Sequence, residues 1–144
     1  MPVKTVTEVQ RSRTGAKPRA RESKPPALPQ FLGHHLIVDM WDCTLDSLES
    51  VAGVEQALRD AVAACRATLL DLSVHTFSPT GVTGIAVIQE SHISVHTWPE
   101  FGYAAVDIFT CGETDAHSAV AVLSGYFNPR RSDVTEFRRG VLKA

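Results

Sequence analysis

Residues 90–100, Glu90-Ser91-His92-Ile93-Ser94-Val95-His96-Thr97-Trp98-Pro99-Glu100, concentrate nucleophilic, basic and acidic side chains. One chemistry for His92 and His96 is zinc binding. On a helix, positions i and i+4 share a metal, but on an extended strand they lie ~13 Å apart, and zinc–nitrogen bonds are only ~2.1 Å long. The segment is rich in strand-forming residues, so no metal site is expected. A second chemistry is hydrolysis, with Ser91 as nucleophile and His96 as its base. A spacing of five puts the two on opposite faces of a regular strand, while a nucleophile and its base need hydrogen-bond reach. The GxSxG elbow is absent as well. Hydrolase chemistry is therefore not expected.

A hairpin offers better geometry. Trp98-Pro99-Glu100-Phe101-Gly102 breaks the extended run, and a reversal centred near position 101 sets Ser91 opposite Cys111. On these grounds alone, a thiol beside a hydroxyl at the end of a sheet is core filler, since buried cysteine is a common inert residue.

These residues need a scaffold, and the hydrophobic periodicity supplies one. His35–Trp41 is a short strand-like run. Leu48, Val51, Val54, Leu58, Val62 and Cys65 recur at steps of three and four, the stripe of an amphipathic helix, with Asp46 or Ser47 as its cap. Residues 69–77 alternate, with Leu70, Leu72, Val74 and Thr76 on one face and Asp71, Ser73, His75 and Phe77 on the other. Pro79-Thr80-Gly81 is a turn. Residues 82–97 form one long β-branched run, with Gly84 as a bulge or a point of close approach. Tyr103–Cys111 is a further strand. Thr114 can cap a second helix with the stripe Ala116, Val120, Leu123 and Phe127, stopped by Asn128-Pro129, and a weak last strand falls at about 133–138. The expected fold is α+β, a two-layer sandwich of a mainly antiparallel sheet with two helices on one face. The other face must be wet, ligand-filled or covered by a second subunit.

Length and composition fit this plan. The 144 residues, 44% apolar and 21% charged, are one domain's worth. No apolar run reaches the ~18 residues of a membrane span, and no leader opens the chain. Three cysteines, Cys43, Cys65 and Cys111, with no CxxC pair, suggest a reducing cytoplasm rather than a disulfide framework. The net charge of −2 hides an asymmetry: residues 1–30 carry seven Lys/Arg against Glu8 and Glu22, and five of the eight prolines. That segment is expected to be a disordered basic tail. The remainder, 31–144, is acidic, which favours a cationic small molecule over a polyanion. Neither nucleic acid nor a membrane is an expected partner.

Residues 77–112, FSPTGVTGIAVIQESHISVHTWPEFGYAAVDIFTCG, resemble the core signature of the prokaryotic S-adenosylmethionine decarboxylases, which are self-cleaving pyruvoyl enzymes. The signature joins the Glu-Ser step, the histidine, the WPE-GY turn and the TCG end. A looser likeness runs from the HHLIVD strand to about residue 140. The resemblance implies autocatalytic serinolysis between Glu90 and Ser91, giving a β chain, 1–90, and an α chain, 91–144. Ser91 then becomes a covalent pyruvoyl group that takes the substrate amine as a Schiff base. His96 matches the proton acceptor in processing, and Thr83 stands where the family usually has a serine that supports it. Cys111 matches the proton donor in decarboxylation, a role an ordinary thiol, protonated at neutral pH, suits. Phe77 matches the aromatic that stacks on adenine, and Glu100 the carboxylate that holds the ribose. His92, Trp98, Tyr103 and Asp107 are further candidates for lining the site.

The implied reaction is decarboxylation of S-adenosylmethionine to the aminopropyl donor of spermidine and polyamine biosynthesis. It would be carried out by a homodimer of cleaved protomers with sites at the subunit interface. Two alternatives remain. A same-fold pyruvoyl decarboxylase of arginine or ornithine would share the Glu-Ser, His and Cys set. A non-catalytic regulatory paralogue would stay uncut, although retention of Ser91, His96 and Cys111 argues against it.

Overall fold

The computed structural model describes residues 30–143, so the basic segment lies outside the described residues. The order is β1 (Gly33–Trp41), α1 (Leu45–Glu49), α2 (Val51–Ala64), β2 (Thr68–Thr76), β3 (Val82–Gln89), β4 (Ser91–Trp98), β5 (Tyr103–Cys111), α3 (Ala116–Phe127) and β6 (Arg131–Arg139). The strands form one six-stranded sheet in the order β2-β3-β4-β5-β1-β6. Every neighbouring pair is antiparallel.

Period-two alternation decides which face is covered. Leu36, Val38 and Met40 of β1, Ala86 and Ile88 of β3, Ile93 and Val95 of β4 and Val106 and Ile108 of β5 are buried against the helices. Val54, Leu58, Ala61 and Val62 of α2 and Ala119, Leu123 and Phe127 of α3 meet them. Removing one such side chain, as in Leu123→Ala, costs about 2–5 kcal/mol. Thr97 is a buried polar exception whose hydroxyl donates to the Leu48 carbonyl and accepts from the Val82 amide, both at 2.8 Å, tying β4 to α1 and β3. The expected two-layer architecture is thus present, with a short third helix, α1, added.

Local details differ from the expectations. The first helical stripe is interrupted: α1 ends at Ser50, whose hydroxyl caps α2 by accepting from the Gly53 amide. Asp46 and Ser47 lie inside α1 instead of capping it. Asp115, not Thr114, caps α3, accepting from the Ser118 amide, while Thr114 donates to the Cys111 carbonyl. A β-bulge between Leu69 and Asp71 turns Leu70 outward to 61% exposure, against its expected place on the inner face. Gly84 marks close approach, for a Cβ there would stand 2.6 Å from Leu58 Cδ1. The largest correction is at 82–97, which is a hairpin and not one strand: β3 and β4 pair from Thr83↔His96 to Ile88↔Ser91, leaving only Gln89 and Glu90 as the turn.

The uncovered face is unusual in content. Ile37, Ile85, Val87 and Trp98 are 37–42% exposed on it. Among them stand His35, Asp39, Trp41, His92, His96, Tyr103, Asp107 and Phe109, half-buried by one another.

Candidate active site

The β4–β5 hairpin closes through a short 3₁₀ turn, Pro99–Phe101, and Gly102 in the left-handed region at φ +60°. Trp98 pairs with Tyr103, so the register ends with Ser91 opposite Thr110. The expected pairing of Ser91 with Cys111 is therefore one residue out, because the reversal is centred between Glu100 and Phe101. The two side chains meet nonetheless, Ser91 Oγ lying 3.4 Å from Cys111 Sγ. Ser91 sits at φ +106°, a region that side-chain-bearing residues seldom occupy. Both residues are half-buried, and Glu90 at the turn is exposed.

Thr83, His96, Phe77 and Glu100 gather at the opposite end of the same sheet, while His92 stays beside Ser91 against the Phe109 ring. Thr83 Oγ1 is 2.9 Å from His96 Nδ1. Phe77 follows β2 and is 58% exposed, so its ring is not core packing. It borders an opening of about 270 Å³ with Thr76, Pro79 and Gly81. Glu100 lies exposed on the 3₁₀ turn. His96 lies five positions along β4 from Ser91, ~16 Å of extended chain. Within one chain the structure thus joins Ser91 to Cys111 and Thr83 to His96, and it does not join the two pairs.

Between these ends the open face carries groups that the periodicity of β1 could have revealed, since His35, Asp39 and Trp41 occupy its outward positions. Trp41, Tyr103 and Trp98 form a ladder across β1, β5 and β4, with ring centroids 4.4 and 5.3 Å apart. His96 adjoins it, 6.4 Å from Trp98. The Tyr103 hydroxyl donates to Asp39. Burial, then this bond and the charges of Asp39 and Asp107, pushes the Tyr103 pKa up to about 12. At the Ser91 end, His35 bonds Asp107 at 3.1 Å and Arg139 at 3.1 Å. Burial raises the pKa of the other two thiols, Cys43 and Cys65. Among the described residues no cluster of three His, Cys, Asp or Glu has the geometry to hold a metal, and no helix is long and apolar enough to cross a membrane.

Fold and relatives together define an α+β enzyme. The chain belongs to the S-adenosylmethionine decarboxylase family, whose model matches residues 34–140. It is 51% identical over 112 residues to an S-adenosylmethionine decarboxylase proenzyme of Methanococcus aeolicus, covering 77% of this chain and 96% of the relative. A proenzyme of the same name from Thermomicrobium roseum is 52% identical over 113 residues, with the same shares covered. The crystal structure of the adenosylmethionine decarboxylase from Aquifex aeolicus superposes with a TM-score of 0.74 at 34% identity, over 80% of this chain and 96% of that one.

Proposed function

We propose that this chain cuts itself between Glu90 and Ser91 and then decarboxylates S-adenosylmethionine, yielding the aminopropyl donor of polyamine synthesis. The observation that carries the reading is the 3.4 Å contact of Ser91 Oγ with Cys111 Sγ beside a turn of only two residues. There the Ser91 hydroxyl adjoins the peptide bond before it. Its oxygen attacks the Glu90 carbonyl carbon, and an ester C–O bond replaces the amide C–N bond. Removal of the Ser91 α-proton expels the Glu90 carboxylate, and water then displaces ammonia to leave a ketone at the new terminus. A pyruvoyl group supplies an electron sink to an amine-bearing substrate. Cys111, whose thiol adjoins Ser91 Oγ, delivers a proton to the substrate α-carbon once carbon dioxide has left. The open Phe77 ring offers a face to adenine and the sulfonium, and Glu100 can accept from ribose hydroxyls. That pair favours a nucleoside substrate over arginine or ornithine.

The same reading calls for two copies of the chain. His96, Phe77 and Glu100 stand at the far end of the sheet from Ser91, and the uncovered face between them exposes Ile37, Ile85, Val87 and Trp98 among its polar groups. Two sheets packed face to face and antiparallel, related by a twofold axis, would bring each serine end to a partner's histidine end. A compartment that keeps thiols reduced, such as the cytoplasm, suits Cys111.

Intact-mass analysis of purified protein, with borohydride trapping of carboxyl-labelled substrates, tests the proposal. The expected result is two fragments divided at residue 90, a blocked second terminus, and carbon dioxide from S-adenosylmethionine. An uncut chain indifferent to Ser91→Ala would overturn it, and release from arginine or ornithine alone would overturn the substrate.

A further inference from the structure

Arg139 closes β6, and its backbone is the register partner of Gly33, which on its other side pairs with Cys111. Cys111, Gly33 and Arg139 thus form one row across three strands, ~10 Å from first to last Cα. The middle member has no side chain. A Cβ at Gly33 would meet the Phe109 ring at 2.8 Å, so that ring takes the place of the missing side chain in the middle of the row.

The guanidinium is held in place. It lies 5.4 Å from the Phe109 ring centroid and 3.1 Å from His35 Nδ1. Arginine only donates, so Nδ1 is the acceptor; the imidazole proton is therefore on Nε2, which donates to Asp107. The line Arg139–His35–Asp107 leaves the carboxylate of Asp107 on the far side of the ring. Among the described residues Arg139 has no carboxylate partner, in contrast to Arg59 with Glu55 and Arg131 with Asp133. An arginine with spare fork donors, fixed on an apolar floor beside a thiol, is a receptor for a planar anion.

Resting on the function proposed above, we infer that Arg139 binds the substrate's α-carboxylate, with His35 as its positioning residue. The amine then points to the end of β4 and the α-carbon to Cys111. This contact exists before decarboxylation and vanishes with the carboxylate. It therefore contributes to binding and not to the chemical step.

The test uses the processed enzyme, wild type against Arg139→Gln, Arg139→Lys and His35→Ala. Arg139→Gln is expected to raise KM for the amino acid about 10- to 100-fold, the range for a charged hydrogen bond, with kcat unchanged or slightly higher. Lysine keeps the charge without the fork and is expected to recover part of the loss, and His35→Ala to raise KM by less. Inhibition by the decarboxylated product, which lacks the carboxylate, is expected to be equal in all four proteins. An unchanged KM overturns the assignment. So does an equal weakening of amino acid and decarboxylated product, which marks a merely structural arginine. Tm and the fraction cleaved, followed alongside, identify a misfolded variant, and Arg139→Lys then carries the comparison. Should the wild type release carbon dioxide from arginine or ornithine instead, the proposed substrate fails. The same comparison of that amino acid with its amine still decides the role of Arg139.

Discussion

Thr83 Oγ1 and His96 Nδ1 stand 2.9 Å apart on residues that are direct register partners in β3 and β4. A hydroxyl there fixes the imidazole's rotation, and it can serve either tautomer by donating to or accepting from Nδ1. Thr83→Ser keeps the hydroxyl and is expected to process normally. Thr83→Val keeps the shape and loses the bond, and is expected to slow appearance of the cleaved chains by about 10-fold or more, as followed on a denaturing gel.

The proposed pairing of two chains predicts complementation. Ser91→Ala and His96→Ala chains are each expected to be inactive alone. Random pairing of the two gives heterodimers with one complete site each, so a co-expressed mixture should regain about a quarter of the wild-type sites. Absence of any recovered decarboxylation would place both residues in one chain's site.

The proposed role of Cys111 separates self-cleavage from decarboxylation. Cys111→Ala is expected to leave a cleaved protein whose decarboxylation rate falls by about 10²–10⁴, the usual worth of a positioned proton donor. Gel analysis and carbon dioxide release from one preparation check both halves.

The bond from Tyr103 to Asp39 is visible to ultraviolet titration. Tyr103 is expected to ionise near pH 12, and Asp39→Asn to bring it down towards an ordinary phenol. Because the folded pKa is raised, the associated stability is complete below the ordinary phenol pKa of about 10. It is lost as the pH climbs through the folded value.

Glu136 on β6 accepts from His34 of β1 at 2.7 Å and from His117 of α3 at 3.3 Å. The His34 bond foremost holds its carboxyl below the usual range. A depressed carboxylate gives stability that is present above the ordinary pKa and disappears as the pH falls through the lowered one. Glu136→Gln is therefore expected to lower Tm near neutral pH and to converge on wild type in acid, below about pH 4.

Local patterns in the sequence announced what local physics controls. The alternation of Tyr103–Cys111 places β5 as observed, and the stripe from Leu48 to Cys65 finds the end of α2 within a residue but misses the break at Ser50 that divides it from α1. The Gln89-Glu90 turn is invisible in the sequence because neither residue is a turn former and the β-branched pair Val87-Ile88 runs straight into it. The 3₁₀ geometry at Pro99–Phe101 shifted the pairing of Ser91 by one, yet the hairpin was enough to bring Ser91 and Cys111 together. Arg139 beside His35 had no local signature. Their proximity depends on β1 entering between β5 and β6, a strand order that no short stretch of sequence encodes.

The strand order has one more effect. A cut at residue 90 leaves β1, α1, α2, β2 and β3 on one piece and β4, β5, α3 and β6 on the other. β1 of the first piece is wedged between β5 and β6 of the second, while β3 stays zipped to β4. The pieces cannot drift apart without tearing three ladders, so the proposed cut would leave an interlocked body. Once fully unravelled, however, that body must be rebuilt by an encounter between two separate molecules. Its recovery then depends on concentration, whereas the uncut precursor can refold alone.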